Sequence, residues 1–161
     1  MKLGFRLGLM IGLLAIVTSA RADDGEIPVK DLPKAVVDAV KGRFPRAELT
    51  DAQKVTQSGK TTYDVAFKDG AKAIDATLSA DGKFLLIETE IALKAIPAKV
   101  AAAIKAKYPK GTMKSAGWVL DYEDGKETKY FAVVVATGAK KDRELDVTAD
   151  GEIQSDQEAD D

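Results

Sequence analysis

The chain has 161 residues, with 24 Lys plus Arg against 26 Asp plus Glu, and contains neither His nor Cys. A composition of 45% hydrophobic and 31% charged residues belongs to a globular protein that can bury a core, not to a disordered chain. Without imidazole or thiol there is no Cys or His nucleophile or base, no zinc or haem site of the usual ligands, and no disulfide.

Residues 1–22 read as a secretory signal peptide. Lys2 and Arg6 form a basic start, an apolar run extends from Leu7 to Val17, and Ala20-Arg21-Ala22 supplies a small-x-small cleavage site. The apolar run is about half the roughly 20 residues that span a bilayer, so cleavage after Ala22 is expected and no membrane span should remain. Cleavage leaves 139 residues and removes three cations and no acid, which takes the net charge from −2 to −5. Such a chain is a poor ligand for nucleic acid or anionic lipid. The expected location is periplasmic or secreted.

The mature chain is one pattern written twice. Leu32 to Pro45 (LPKAVVDAVKGRFP) lies over Ile96 to Pro109 (IPAKVAAAIKAKYP) at a constant offset of 64. Further on, Gly59-Lys60 matches Gly125-Lys126, Gly70-Ala71-Lys72 matches Gly138-Ala139-Lys140, and Ala80-Asp81-Gly82 matches Ala149-Asp150-Gly151. The offset grows only at turn signals, where insertions are tolerated. The boundaries read as a first repeat over 23–92, a second over 93–154 and an acidic, frayed tail over 155–161.

Each repeat opens with a helix. Pro33 and Pro97 suit the first turn, and Pro45 and Pro109 end the pattern. Between them Val36, Val40 and Phe44, like Val100, Ile104 and Tyr108, form an apolar stripe, while Lys34, Lys41 and Arg43, like Lys99, Lys105 and Lys107, make the other face basic and solvated.

About four short strands come after the helix in each repeat, punctuated by Asp-Gly turns. The first set is expected near Glu48–Thr56, Thr61–Lys68, Ala71–Leu78 and Lys83–Glu90. The second is expected near Lys114–Tyr122, Thr128–Thr137, Arg143–Thr148 and Glu152–Gln154. The expected fold class is α+β: two tandem units, each a helix packed on a four-stranded antiparallel meander, joined in one continuous sheet because the chain from Ile87 to Ile96 holds no flexible linker.

A short helix opened by Leu-Pro or Ile-Pro and closed by Phe-Pro or Tyr-Pro, then a meander with the turns ADGKF and ADGEI, resembles the PepSY-like family, also described as β-lactamase-inhibitor-like. The resemblance covers essentially the whole mature chain. It implies an exported bacterial protein with a helix-plus-sheet fold related to the β-lactamase inhibitory proteins, and binding or inhibition in place of catalysis.

The two repeats differ on one sheet face. Opposite the helix-facing Tyr63, Val65 and Phe67, the first repeat carries Thr62, Asp64, Ala66 and Lys68. The second carries Tyr130, Ala132, Val134 and Ala136. A two-residue hairpin at Asp124-Gly125 would set Val119 opposite Tyr130 on that face and Trp118 opposite Phe131 in the core. Val119, Tyr130, Ala132, Val134 and Ala136 are therefore the candidate partner-binding residues, with an ordinary sheet face as the alternative.

No catalytic constellation accompanies them. Asp121, Glu123 and Asp124 beside Gly125 lack calcium-loop spacing and read as an acidic turn. Glu88 and Glu90 share a strand face but have no nucleophile or cleft motif with them, and serve better as charges that discourage edge aggregation. No cofactor or metal is implied. The expected function is a non-enzymatic, exported binding protein, inhibitor-like, that docks a protein or peptide of the cell envelope on its open sheet face. The alternative is a structural or ligand-sequestering envelope protein that forms a homodimer through the same face.

Overall fold

The structure is a computed structural model and describes residues 25–123, 125–139 and 141–159. The expected signal peptide and the last two residues of the expected tail lie outside the described residues, as does Asp124 of the expected hairpin turn.

Pro33 opens the first helix, α1 (Lys34–Arg43). Its φ is −55°, and its carbonyl accepts hydrogen bonds from the Val36 and Val37 amides at 3.0 and 3.2 Å. Phe44, ahead of Pro45, leaves the helical region at φ −126° and ψ 81°. The second helix, α2 (Ala98–Lys107), repeats this construction, with Pro97 at φ −58° and Tyr108 at φ −124° and ψ 75°. Each helix comes after a single 3-10 turn, Val29–Asp31 or Leu93–Ala95, and each buries two side chains, Val36 and Val40 or Val100 and Ile104.

The strands are β1 (Gly25–Glu26), β2 (Ala47–Gln57), β3 (Lys60–Asp69), β4 (Lys72–Ser79), β5 (Phe84–Ile91), β6 (Thr112–Glu123), β7 (Lys126–Ala136), β8 (Arg143–Val147) and β9 (Ile153–Glu158). They form one antiparallel sheet in chain order.

This corrects the expected fold class. Nine strands dominate, and two ten-residue helices with two 3-10 turns make up only about 20% of the described residues, so the arrangement is not a balanced pair of helix-on-meander units. The prolines stop each helix after three turns, while strand pairing continues beyond the expected limits, to 12 residues in β6 and 11 in β7. Among the described residues, the chain divides into a unit of 25–90 with 118–129 and a unit of 91–117 with 130–159. The tip of the β6–β7 hairpin thus belongs with the first unit. Residues 155–158, expected in the tail, form most of β9.

In the first unit Val36 and Val40 pack with Ala52, Val65, Phe67, Ile74, Ala76, Leu78 and Ile87 in one buried cluster, with Leu120 and Tyr122 at its margin. The strand residues in it alternate along β3 and β4, as a sheet covered on one face requires. In the second unit Val100, Ile104, Phe131, Val133, Val135, Leu145 and Val147 are buried, and the ladder sets Phe131 against Val147 and Val133 against Leu145.

Candidate functional site

Alternation that sends Val65, Phe67, Ile74, Ala76 and Ile87 into the first unit's core sends their neighbours to the opposite, open face of the sheet. The register there aligns acids. Asp51 pairs with Ala66, Ala66 with Asp75 and Asp75 with Glu88, which sets three carboxylates in one row across four strands. The adjoining row runs Gln53, Asp64, Thr77 and Leu86. Glu90 comes after Glu88 on the same face of β5, and Lys60 and Lys68 on β3 are basic side chains of this face.

These carboxylates are held at a cost. Burial raises the Asp75 carboxyl from its usual 3.8 to about 6, and the negative charges of Asp64, Asp51 and Glu90 push in the same direction. Burial also raises Asp64, against a hydrogen bond of 2.6 Å donated by the Thr77 hydroxyl. Glu88 is only 6% exposed. Sequence reading placed Asp64 on the solvated face and found the Glu88–Glu90 pair, but it treated them separately. Cross-strand register is what joins them to Asp51 and Asp75.

The residues singled out for partner binding lie elsewhere in the fold. Tyr130, Ala132, Val134 and Ala136 alternate with the buried Phe131, Val133 and Val135 along β7, on the face away from the second unit's core. Tyr130, Val134 and Ala136 are half-buried, whereas Ala132 is 3% exposed. Val119 alternates with Leu120 and Tyr122, which border the first unit's core, and it is 2% exposed. Acids also enter the second unit's face: Glu144 pairs with Val134 and Asp146 with Ala132. Glu144 is 7% exposed. Sequence reading missed both, because one β8 strand of five residues gave too little alternation to assign a face. The large apolar side chain that is exposed among the described residues is Leu93, in the 3-10 turn before α2 and not in β6 or β7.

A shallow hollow of about 260 Å³ in the second unit is lined by residues including Lys107, Tyr108 and Thr137, and no carboxylate side chain lines it. Among the described residues no three His, Cys, Asp or Glu side chains are grouped so as to hold a metal ion. No helix among them is long and apolar enough to cross a membrane.

A family profile described as "Putative beta-lactamase-inhibitor-like, PepSY-like" matches residues 19–71 and 61–158. The chain belongs to the PepSY-like family. Three solved structures share the fold. A Bacteroides eggerthii structure named among "putative periplasmic proteins" is 20% identical, with TM-score 0.64, over 78% of this chain and 88% of its own. A DUF2874 family protein from Bacteroides uniformis is 18% identical, with TM-score 0.64 and the same coverages, 78% and 88%. A BLIP-like protein from Bacteroides fragilis is 17% identical, with TM-score 0.60, over 78% and 84%. At these identities the likeness of this PepSY-like chain to them is one of fold. No curated protein matches the sequence.

Proposed function

We propose that this PepSY-like protein is exported to the periplasm, with its leader cleaved after Ala22, and acts there without catalysis as a binding protein. It docks a protein or peptide that presents Lys or Arg side chains to the open sheet face of the first unit. The observation that carries this reading is the row Asp51, Asp75 and Glu88 with Asp64 and Glu90 beside it, where carboxylates oppose one another and Asp75 is raised to about 6. Charges maintained against such a penalty on a sheet face are a mark of binding surfaces, and a cationic partner would offset both the burial and the repulsion. The periplasmic assignment draws on the basic, apolar leader and on the name of the B. eggerthii relative.

Binding of synthetic Lys/Arg-rich and Glu-rich peptides to the mature chain, monitored by fluorescence anisotropy, tests the reading. The basic peptide should bind, more weakly at high salt, and the combined Asp64→Asn, Asp75→Asn and Glu90→Gln substitutions should weaken it by about tenfold or more. Equal binding of the Glu-rich peptide, or no loss on substitution, would overturn it.

A further inference from the structure

We infer that β9 is a releasable edge strap, held on its unit by a charge cluster at the place where β5 of the first unit is held by buried hydrocarbon. The two ladders correspond step for step. Ala76 pairs with Ile87 as Leu145 pairs with Asp156, Thr77 with Leu86 as Asp146 with Ser155, and Leu78 with Phe84 as Val147 with Ile153. Both shift register at the same step, Thr77/Leu78 and Asp146/Val147. Asp156 therefore occupies in β9 the position that Ile87, a member of the buried core, occupies in β5.

Its neighbours change with it. Ile74 of β4 corresponds to Arg143 of β8, and Phe44 after α1 corresponds to Tyr108 after α2. The Asp156 carboxylate accepts hydrogen bonds from the Tyr108 hydroxyl and Arg143 Nε, both at 2.8 Å, and lies 2.6 Å from Lys107 Nζ. Arg143 also donates to the Asp156 main-chain carbonyl at 2.8 Å. Lys141 pairs with Glu158 further along the strand at 3.7 Å.

Apolar anchoring of the strap is thin. No side chain of β9 is buried, whereas β5 buries Leu86, Ile87 and Glu88. As the last strand in the sheet order, β9 pairs with β8 alone among the described residues. Burial of hydrocarbon is indifferent to screening, but ion pairs near the surface weaken as salt rises. An edge element with few buried apolar contacts opens locally, at a lower cost than global unfolding. Here that local event swings β9 away and bares the backbone of Arg143–Val147.

Amide hydrogen exchange on the full mature chain tests this. At neutral pH and low salt, β9 amides should exchange at least about tenfold faster than those of β4 and β5, and molar salt should speed β9 further while leaving β4 and β5 unchanged. Replacing the cluster by its first-unit counterparts, Tyr108→Phe with Arg143→Ile and Asp156→Ile, should slow β9 by several-fold and abolish the salt effect. Equal protection of β9 and β5 in the native chain, or a salt effect shared by both strands, overturns the inference whether or not the triple variant folds. A folded variant whose β9 exchanges as before overturns it as well.

Discussion

Gly82 sits directly against the carbonyl of Ala35 in α1: a β-carbon at this position would lie 2.5 Å from the oxygen. Gly151 has the same relation to Lys99 in α2, at 2.8 Å, and both glycines have positive φ, +84° and +89°. The obstructing atoms are helix backbone, which cannot swing aside as a side-chain tip can. Thus the recurring Ala-Asp-Gly turn brings the strand connection onto the first turns of each helix, and only glycine fits. Gly82→Ala and Gly151→Ala should each cost about 2 kcal/mol or more. Gly125→Ala, at φ +77° with open space around it, should cost about 1 kcal/mol. Urea unfolding of the three variants measures the difference; equal losses would show that strain at φ, and not helix contact, sets the cost.

Arg43 at the end of α1 donates to the Tyr122 hydroxyl at 2.8 Å, with its guanidinium 5.3 Å from the Phe84 ring centre and 5.6 Å from that of Tyr122. Planar stacking and a directed hydrogen bond are properties of Arg that Lys does not reproduce. Arg43→Lys should therefore destabilise the first unit by roughly 1 kcal/mol although the charge is kept. Tyr122→Phe should cost less, since the ring stays and only the hydroxyl is lost. A Lys variant as stable as the parent in urea would show that charge alone matters at this position.

The parts legible from sequence are those set by local chemistry. Pro33 and Pro97 start the helices and Pro45 and Pro109 stop them, and β2 to β5 fall within two residues of the expected strands because Asp-Gly and Ser-Gly turns delimit them. What stayed illegible depends on pairing across strands. The two-residue β1 owes its existence to the partners Lys54 and Gln53 on β2. Asp156 read as tail because QSDQE has no apolar alternation, yet its carboxylate is completed by Tyr108, Lys107 and Arg143 from distant segments. The acidic row likewise emerges only when Asp51, Asp75 and Glu88, far apart in the chain, come into register.

Burial by itself raises the Asp156 carboxyl, but hydrogen bonds from Lys107, Tyr108 and Arg143 together outweigh it and hold the group below its ordinary range. A carboxyl depressed on folding contributes stability above its unfolded value of 3.8 and loses it as pH falls through the folded value. Tyr108→Phe should therefore cost about 1 kcal/mol at neutral pH and distinctly less in strong acid, where Asp156 is protonated in both states. Thermal or urea unfolding at the two pH values checks the contrast. A loss that does not change with pH would assign the cost to packing of the ring and not to the charged acceptor.

Asp75 carries the opposite sign. Its carboxyl rises from 3.8 to about 6 on folding, so the folded chain holds this proton more tightly than the unfolded chain does. Stability contributed by this group is fully present in acid and falls as pH rises from about 4 to about 6; above that range both states are ionised and the deficit is constant. A displacement of this size is worth at most about 3 kcal/mol, reduced where water reaches the group. Asp75→Asn keeps the shape and removes the charge, so it should raise stability by roughly 1–3 kcal/mol at neutral pH and by almost nothing at about pH 3.5. Urea midpoints across that interval measure the effect. A gain of the same size at both ends would mean that Asn improves hydrogen bonding in the row, and that burial of the charge with repulsion from Asp64, Asp51 and Glu90 is not what the native chain pays to keep Asp75 ionised.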